Sequence, residues 1–148
     1  MAPASFETSF AMETSGIKFG PGVTREVGFE MRRLAARRVM VVTDPGMSDS
    51  EPVRVATAAL KAENIDPVLF DQVQVEPTDV SFREAVHAAT DGNVDGYVAV
   101  GGGSSIDTAK AANLYATYPA DLLAYVNAPI GQGLPAPGPL KPLIAIPT

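Results

Sequence analysis

Three consecutive glycines followed by two serines are the residues of this sequence best suited to chemistry. Gly101, Gly102 and Gly103 directly follow the apolar run "YVAV", and Ser104 and Ser105 open a segment with helical spacing. Glycine adopts positive φ and has no Cβ, and the free N–H groups at a helix start bind phosphate. The stretch predicts a cradle for a nucleotide or a phosphosugar. A tight strand-to-helix turn that holds no ligand is the alternative.

The spacing excludes two common phosphate-binding motifs. No Gly-Lys-Ser/Thr follows the glycines, and the third glycine falls too early for G-x-G-x-x-G. The best acidic residue for a ribose is Asp44, which lies upstream at the end of the buried run "RVMVVTD". Its carboxylate could accept hydrogen bonds from ribose hydroxyls and would repel a 2′-phosphate, which favours NAD over NADP. The start of an Asp-Pro-Gly turn is an equal alternative.

Local helix contacts offer a second explanation for some of these residues. Ser104 and Asp107 match the S-x-x-D pattern of a capping box, and Lys110 follows Asp107 at the i, i+3 spacing of an ion pair.

The elements that would position these residues alternate along the chain. The runs "RVMVVTD", "PVLFD", "GYVAV" and "LIAIPT" lack polar alternation, which is typical of strands buried on both faces. In the segments before and between these runs, apolar residues recur at helical spacing. These segments are Val23 to Leu34, Ser50 to about Asn64, "DVSFREAVHAATDG", "SSIDTAKAANLYA" and "PADLLAYV". The pattern predicts an α/β fold, a Rossmann-like parallel sheet with helices on both faces. Alternation at Phe6, Ser9 to Met12 and Ile17 to Phe19 predicts an amino-terminal antiparallel β-hairpin or edge strands.

The composition and charge of the chain restrict the classes of binding partner that we expect. The 148 residues suffice for one domain, and a net charge of −6 argues against nucleic acid or an acidic membrane surface. The cluster Arg32, Arg33, Arg37 and Arg38 is interpreted as a solvated helix end. There is no cysteine, no run of about 20 apolar residues and no secretion signal, so the expectation is a cytoplasmic protein.

Longer motifs resemble a known family. The order "VVTD", "VEPTD", "VAVGGGSSIDTAK" and "PLIAIPT" resembles the iron-containing (group III) alcohol dehydrogenases, which have a dehydroquinate synthase-like fold. Within them the chain is most similar to the hydroxyacid-oxoacid transhydrogenase branch. That likeness is carried by "FGPGVTREVG", "VQVEPTDVSF", "AANLYA", "YVNAPIGQG" and "PLKPLIAIPT", and it covers nearly the whole chain after Gly16.

The resemblance implies that residues 1–148 are an NAD-binding amino-terminal domain whose helical metal-binding domain is absent from this chain. It implies that the pyrophosphate lies on Gly102, Gly103, Ser104 and Ser105, with the adenosine ribose on Asp44 and Thr148 near the cofactor's middle or nicotinamide side. Many family members have Asn where this chain has Glu76, and the role of Glu76 is left open. The full set of expected cofactor residues is Asp44, Gly101, Gly102, Gly103, Ser104, Ser105, Asp107 and Thr148.

The sequence lacks the residues needed to bind the catalytic metal that the family resemblance implies. The resemblance implies a divalent metal, usually iron, held by one Asp and three His, whereas His87 is the only histidine in the chain. His87 is predicted to be a surface or half-buried helix residue. We assign no catalytic and no metal-binding residue to this chain.

Three functions are considered. The first is implied by the resemblance: the cofactor-binding part of a transhydrogenase that moves a hydride from 4-hydroxybutyrate through NAD to 2-oxoglutarate, giving succinate semialdehyde and 2-hydroxyglutarate. The others are an ordinary iron-containing, NAD-dependent alcohol dehydrogenase and a non-catalytic nucleotide-binding module. The expected partner is a small alcohol or hydroxy acid, and a homo-oligomer is compatible with the sequence.

Overall fold

The structure, a computed structural model, describes residues 14–148 and contains one parallel sheet. Its strands are β1 (Arg38–Val42), β2 (Asp66–Phe70), β3 (Gly96–Gly101) and β4 (Leu143–Pro147). The order across the sheet is β2-β1-β3-β4, and every neighbouring pair is parallel. The predicted parallel α/β sheet is therefore confirmed.

Helices connect the strands and cover both faces. They are α1 (Val27–Arg33), α2 (Glu51–Ala62), α3 (Asp79–Asp91) and α4 (Gly103–Thr117). Short 3₁₀ turns at Val23–Glu26 and Leu122–Ala124 complete the helical segments. Among the helices of residues 14–148, none is long and apolar enough to cross a bilayer.

The two central strands are buried on both sides, which explains their unbroken apolar sequence. Val39 and Val98 belong to the core under α1 and α2, whereas Met40 and Tyr97 belong to the core under α3 and α4. All four side chains are fully buried. Neighbouring residues of one strand thus serve opposite cores, so no polar position remains in the run.

Two predicted elements differ from the structure. Ile17 to Phe19 form no strand: this segment is exposed, and it pairs with none of the strands found in residues 14–148. The rest of the predicted hairpin, Phe6 and Ser9 to Met12, lies outside the described residues. The segment "PADLLAYV" forms only the 3₁₀ turn Leu122–Ala124, which Asp121 caps by accepting a hydrogen bond from the Leu123 N–H.

Candidate functional site

The strand order creates a crevice at the carboxyl ends of β1 and β3. The chain leaves β1 through α2 to β2 on one side, then crosses through α3 to β3 on the other side of β1. Parallel α/β sheets bind ligands at such a switch point, because the two connecting loops diverge there. Asp44 follows β1 and the glycine turn ends β3, so both predicted segments lie at this crevice.

Thr43 ties the strand ends together. Its buried hydroxyl donates a hydrogen bond to the Val100 carbonyl at 2.8 Å, which joins β1 to β3. Its backbone N–H donates to the Phe70 carbonyl, and its own carbonyl accepts from the Val73 N–H at 3.4 Å. Sequence reasoning missed Thr43. The available signal was a hydroxyl at the end of an otherwise apolar strand.

Gly101 brings a carboxylate and a hydroxyl together. It is buried and has φ +146°, a conformation that residues with a Cβ rarely adopt. A Cβ placed on Gly101 would lie 2.6 Å from Ser105 Oγ and 3.7 Å from Asp44 Oδ2. In residues 14–148 no protein donor bonds to the half-buried Asp44 carboxylate. That carboxylate can therefore accept hydrogen bonds from the hydroxyls of a ligand.

At the start of α4, no side chain among residues 14–148 covers the backbone N–H groups of the first turn. Gly102 is the residue that precedes the helix, and no side chain caps the first turn. A Cβ on Gly102 or on Gly103 would find no atom within 4 Å, so open space adjoins both residues. An uncapped helix end in open space offers N–H donors and the positive end of the helix dipole to an anion. The arrangement therefore fits a phosphate group.

The capping box predicted from Ser104 and Asp107 is wrong. The helix already begins at Gly103, so Ser104 lies inside the first turn instead of preceding it. The ion pair of Asp107 with Lys110 is confirmed, at 3.6 Å between two exposed side chains. The structure thus places the Asp107 side chain on the exposed surface of α4, paired with Lys110.

Thr148 reaches the same edge from β4. The register sets Pro147 opposite Gly101, and Thr148 follows as an exposed residue. Its hydroxyl lies 3.3 Å from the sulfur of Met47, whose N–H donates to the Asp44 carbonyl at 3.0 Å. Met47 therefore links Thr148 to the turn that carries Asp44. No sequence signal identified Met47, because the contact joins distant parts of the chain.

Glu76 has strained backbone on the β2 side of the crevice. It is exposed with φ +56°, which costs a residue with a side chain about 1 kcal/mol or more. Its loop leads to Thr78, which forms a capping box with Ser81 at the start of α3. The hydrogen bond between Val73 and Thr43 holds the beginning of this loop against β1.

The described residues do not fit a catalytic metal. Within residues 14–148, no three His, Cys, Asp or Glu side chains lie close enough to share an ion. His87 is exposed on α3, as predicted, where it lines a shallow cavity with Arg83 and Tyr115. One imidazole cannot supply the three that the family resemblance implies.

Comparison with known proteins decides the family. The model of the family described as iron-containing alcohol dehydrogenase matches residues 14–148. The chain belongs to this family. A solved alcohol dehydrogenase also shares its fold: the alcohol dehydrogenase from Oenococcus oeni superposes with a TM-score of 0.75 at 30% identity, over 88% of this chain and 33% of that one.

The chain is also similar to curated transhydrogenases. It is 49% identical to the mitochondrial hydroxyacid-oxoacid transhydrogenase of Homo sapiens, over 100% of this chain and 32% of that protein. For the Mus musculus protein of the same name the identity is 50%, over 95% of this chain and 30% of that protein. The chain thus spans about a third of the length of these relatives. Because they are mitochondrial, the expectation of a cytoplasmic protein is wrong.

Proposed function

We propose that this chain is the NAD-binding part of a metal-dependent oxidoreductase, and that the whole enzyme is a hydroxyacid-oxoacid transhydrogenase. The observation that carries the proposal is the pairing of Asp44 with the uncapped start of α4 at one switch point. A carboxylate and a set of bare N–H groups side by side match the ribose and diphosphate of one dinucleotide.

The sheet order gives the cofactor a direction. Asp44 would accept hydrogen bonds from the adenosine ribose at the end of β1, and the α4 start would hold the diphosphate at the end of β3. Adenine would then lie toward the loop after β2, where Glu76 stands, and nicotinamide toward Thr148 after β4. Gly102, Gly103, Ser104 and Ser105 face the diphosphate in this arrangement. Asp107 lies one turn further along α4, so it would influence the diphosphate only through the charge of its carboxylate.

NAD, when bound, supplies the hydride acceptor, and a metal ion would polarise the reacting oxygen. The residues of this chain orient the dinucleotide, and Gly101 keeps side chains out of the space between Asp44 and Ser105. The metal ligands belong, in this proposal, to a further helical domain outside residues 1–148.

Similarity favours the transhydrogenase over an ordinary alcohol dehydrogenase. The identity to the human transhydrogenase is 49% along the whole chain, against 30% for the Oenococcus alcohol dehydrogenase. The net reaction converts 4-hydroxybutyrate and 2-oxoglutarate into succinate semialdehyde and 2-hydroxyglutarate. A tightly held cofactor suits this reaction, because reduction and oxidation take place in one site.

The test replaces the ribose-binding carboxylate. In the full-length protein, Asp44→Asn keeps the size of the side chain and removes its charge. We expect the preference for NAD over NADP to fall by about tenfold or more, because hydrogen bonds to a charged group are lost together with the repulsion of a 2′-phosphate. Calorimetric titration with both dinucleotides measures the ratio of the two dissociation constants.

The matched control is Asp107→Asn, which removes a carboxylate from the surface of the same edge without touching the crevice. Its effect on the ratio should be several-fold smaller. An unchanged preference in Asp44→Asn would remove the ribose assignment, and a wild-type protein that binds neither dinucleotide would end the proposal.

A further inference from the structure

One motif of the transhydrogenase resemblance, "FGPGVTREVG", takes no part in the dinucleotide site. It forms the turn before α1 and one wall of a separate cavity of about 240 Å³. The first two turns of α2 form the other wall. The lining residues are Gly22, Thr24, Arg25, Glu51, Pro52 and Val55.

The cavity lies at the same edge of the sheet as the crevice. Helix α2 follows the carboxyl end of β1 and leads to the amino end of β2, so its first residues mark the carboxyl edge. Met47, shortly before Glu51, is the residue whose sulfur contacts the Thr148 hydroxyl. The cavity and the Thr148 contact therefore lie at the same edge of the sheet, where Thr148 marks the nicotinamide end of the proposed cofactor path.

Arg25 is the charged donor of this cavity. It makes no ion pair within residues 14–148, whereas nearby Lys18 pairs with both Glu26 and Glu30. Gly22, with φ +76°, leaves room for the guanidinium: a Cβ there would lie 2.7 Å from Arg25 Nη1. An unpaired guanidinium in an open cavity is suited to bidentate binding of a carboxylate.

Two further groups face or flank the space. Glu51 lines it and would oppose a bound anion, although it forms no ion pair with Arg25 in the described part of the chain. Ser50, next to Glu51, has a buried hydroxyl that finds no hydrogen-bond partner among the described residues. It precedes α2 without capping it.

We infer that Arg25 binds one particular carboxylate of the substrate, the one that lies remote from the reacting carbon. This inference rests on the proposed function. In 4-hydroxybutyrate and 2-oxoglutarate, the same number of bonds separates the reacting carbon from the remote carboxylate. One cation at a fixed place beside the nicotinamide would therefore serve both halves of the transhydrogenation. A simple alcohol has no group for this cation, so Arg25 selects hydroxy acids.

The experiment measures a probe that cannot react. Glutarate is titrated calorimetrically into the full-length protein with NAD bound, for the wild type, Arg25→Gln and Glu51→Gln. We expect Arg25→Gln to weaken glutarate binding about tenfold or more, and Glu51→Gln to strengthen it several-fold, because the two charges act on the carboxylate with opposite sign. Arg54→Gln is the control: this exposed arginine of α2 bonds to the Asp49 carbonyl and does not line the cavity.

A second measurement separates substrate binding from a structural effect. In Arg25→Gln, kcat/KM should fall for 4-hydroxybutyrate and stay near the wild-type value for 1,4-butanediol, and the dissociation constant of NAD should not change. Equal losses for both substrates, or a glutarate affinity like that of Arg54→Gln, would overturn the assignment of Arg25 alone. Failure of the wild type to bind NAD would instead refute the proposed function.

Discussion

At the scale of single residues, two neighbouring glycines have different tasks. Gly101 keeps its backbone at φ +146° beside Ser105, whereas Gly102 has φ −79° and open space around it. We expect Gly101→Ala to lower the free energy of unfolding by about 1–3 kcal/mol, from backbone strain and the close Ser105 hydroxyl. We expect Gly102→Asp to raise it by about 0.5–1 kcal/mol, since aspartate caps a helix well.

Although Gly102→Asp should stabilise the fold, we expect it to weaken the binding of NAD. The Gly102→Asp carboxylate would occupy the N–H groups that the diphosphate needs and would repel it, so NAD affinity should fall by about tenfold or more. Gly102→Asn, of the same size but uncharged, is the control and should lose less affinity. Urea denaturation and NAD titration of the three variants give both quantities. A Gly102→Asp protein that is more stable and binds NAD normally would refute the diphosphate site.

At the scale of elements, α1 is packed unusually close to α2. A Cβ on Gly28 would lie 2.0 Å from the Ala59 carbonyl oxygen, a backbone atom that cannot move aside. We expect Gly28→Ala to force the helices apart and to cost about 3 kcal/mol, at the upper end for overpacking. Gly16→Ala, with nothing within 4 Å, should leave the melting temperature unchanged. A Gly28→Ala protein as stable as Gly16→Ala would contradict the close packing.

The same helix pair also shapes the cavity of Arg25, since α1 follows the turn that carries Arg25 and α2 carries Glu51. This placement could not be predicted from the sequence, because it depends on how two helices pack. Nor could the contact of Met47 with Thr148. The convergence of Asp44 with the glycine turn was predictable, since unbroken apolar runs identify parallel strands whose carboxyl ends share an edge. Local patterns alone were misleading at Ile17 to Phe19, where the sequence alternates but the described part of the chain forms no strand.

At the scale of the whole molecule, an ionisable side chain, Tyr97, is fully buried in the core between the sheet and α3 and α4. Its hydroxyl donates a long hydrogen bond of 3.5 Å to the Ala112 carbonyl of α4. Burial raises the pKa of Tyr97 to about 12, because the phenolate would lose its hydration in this core. The fold therefore stabilises the protonated form of Tyr97.

This pKa gives the stability a defined dependence on pH. An unfolded tyrosine ionises near pH 10, so the folded chain holds its Tyr97 proton to a higher pH than the unfolded chain does. The contribution of Tyr97 is fully present below about pH 10 and is lost as the pH rises toward 12, by a total of roughly 2–3 kcal/mol. Tyr97→Phe, which cannot ionise, should lose less stability over this range than the wild type. Urea midpoints at pH ~9 and ~11 measure the difference, and equal losses in both proteins would show that solvent reaches Tyr97 in the folded chain.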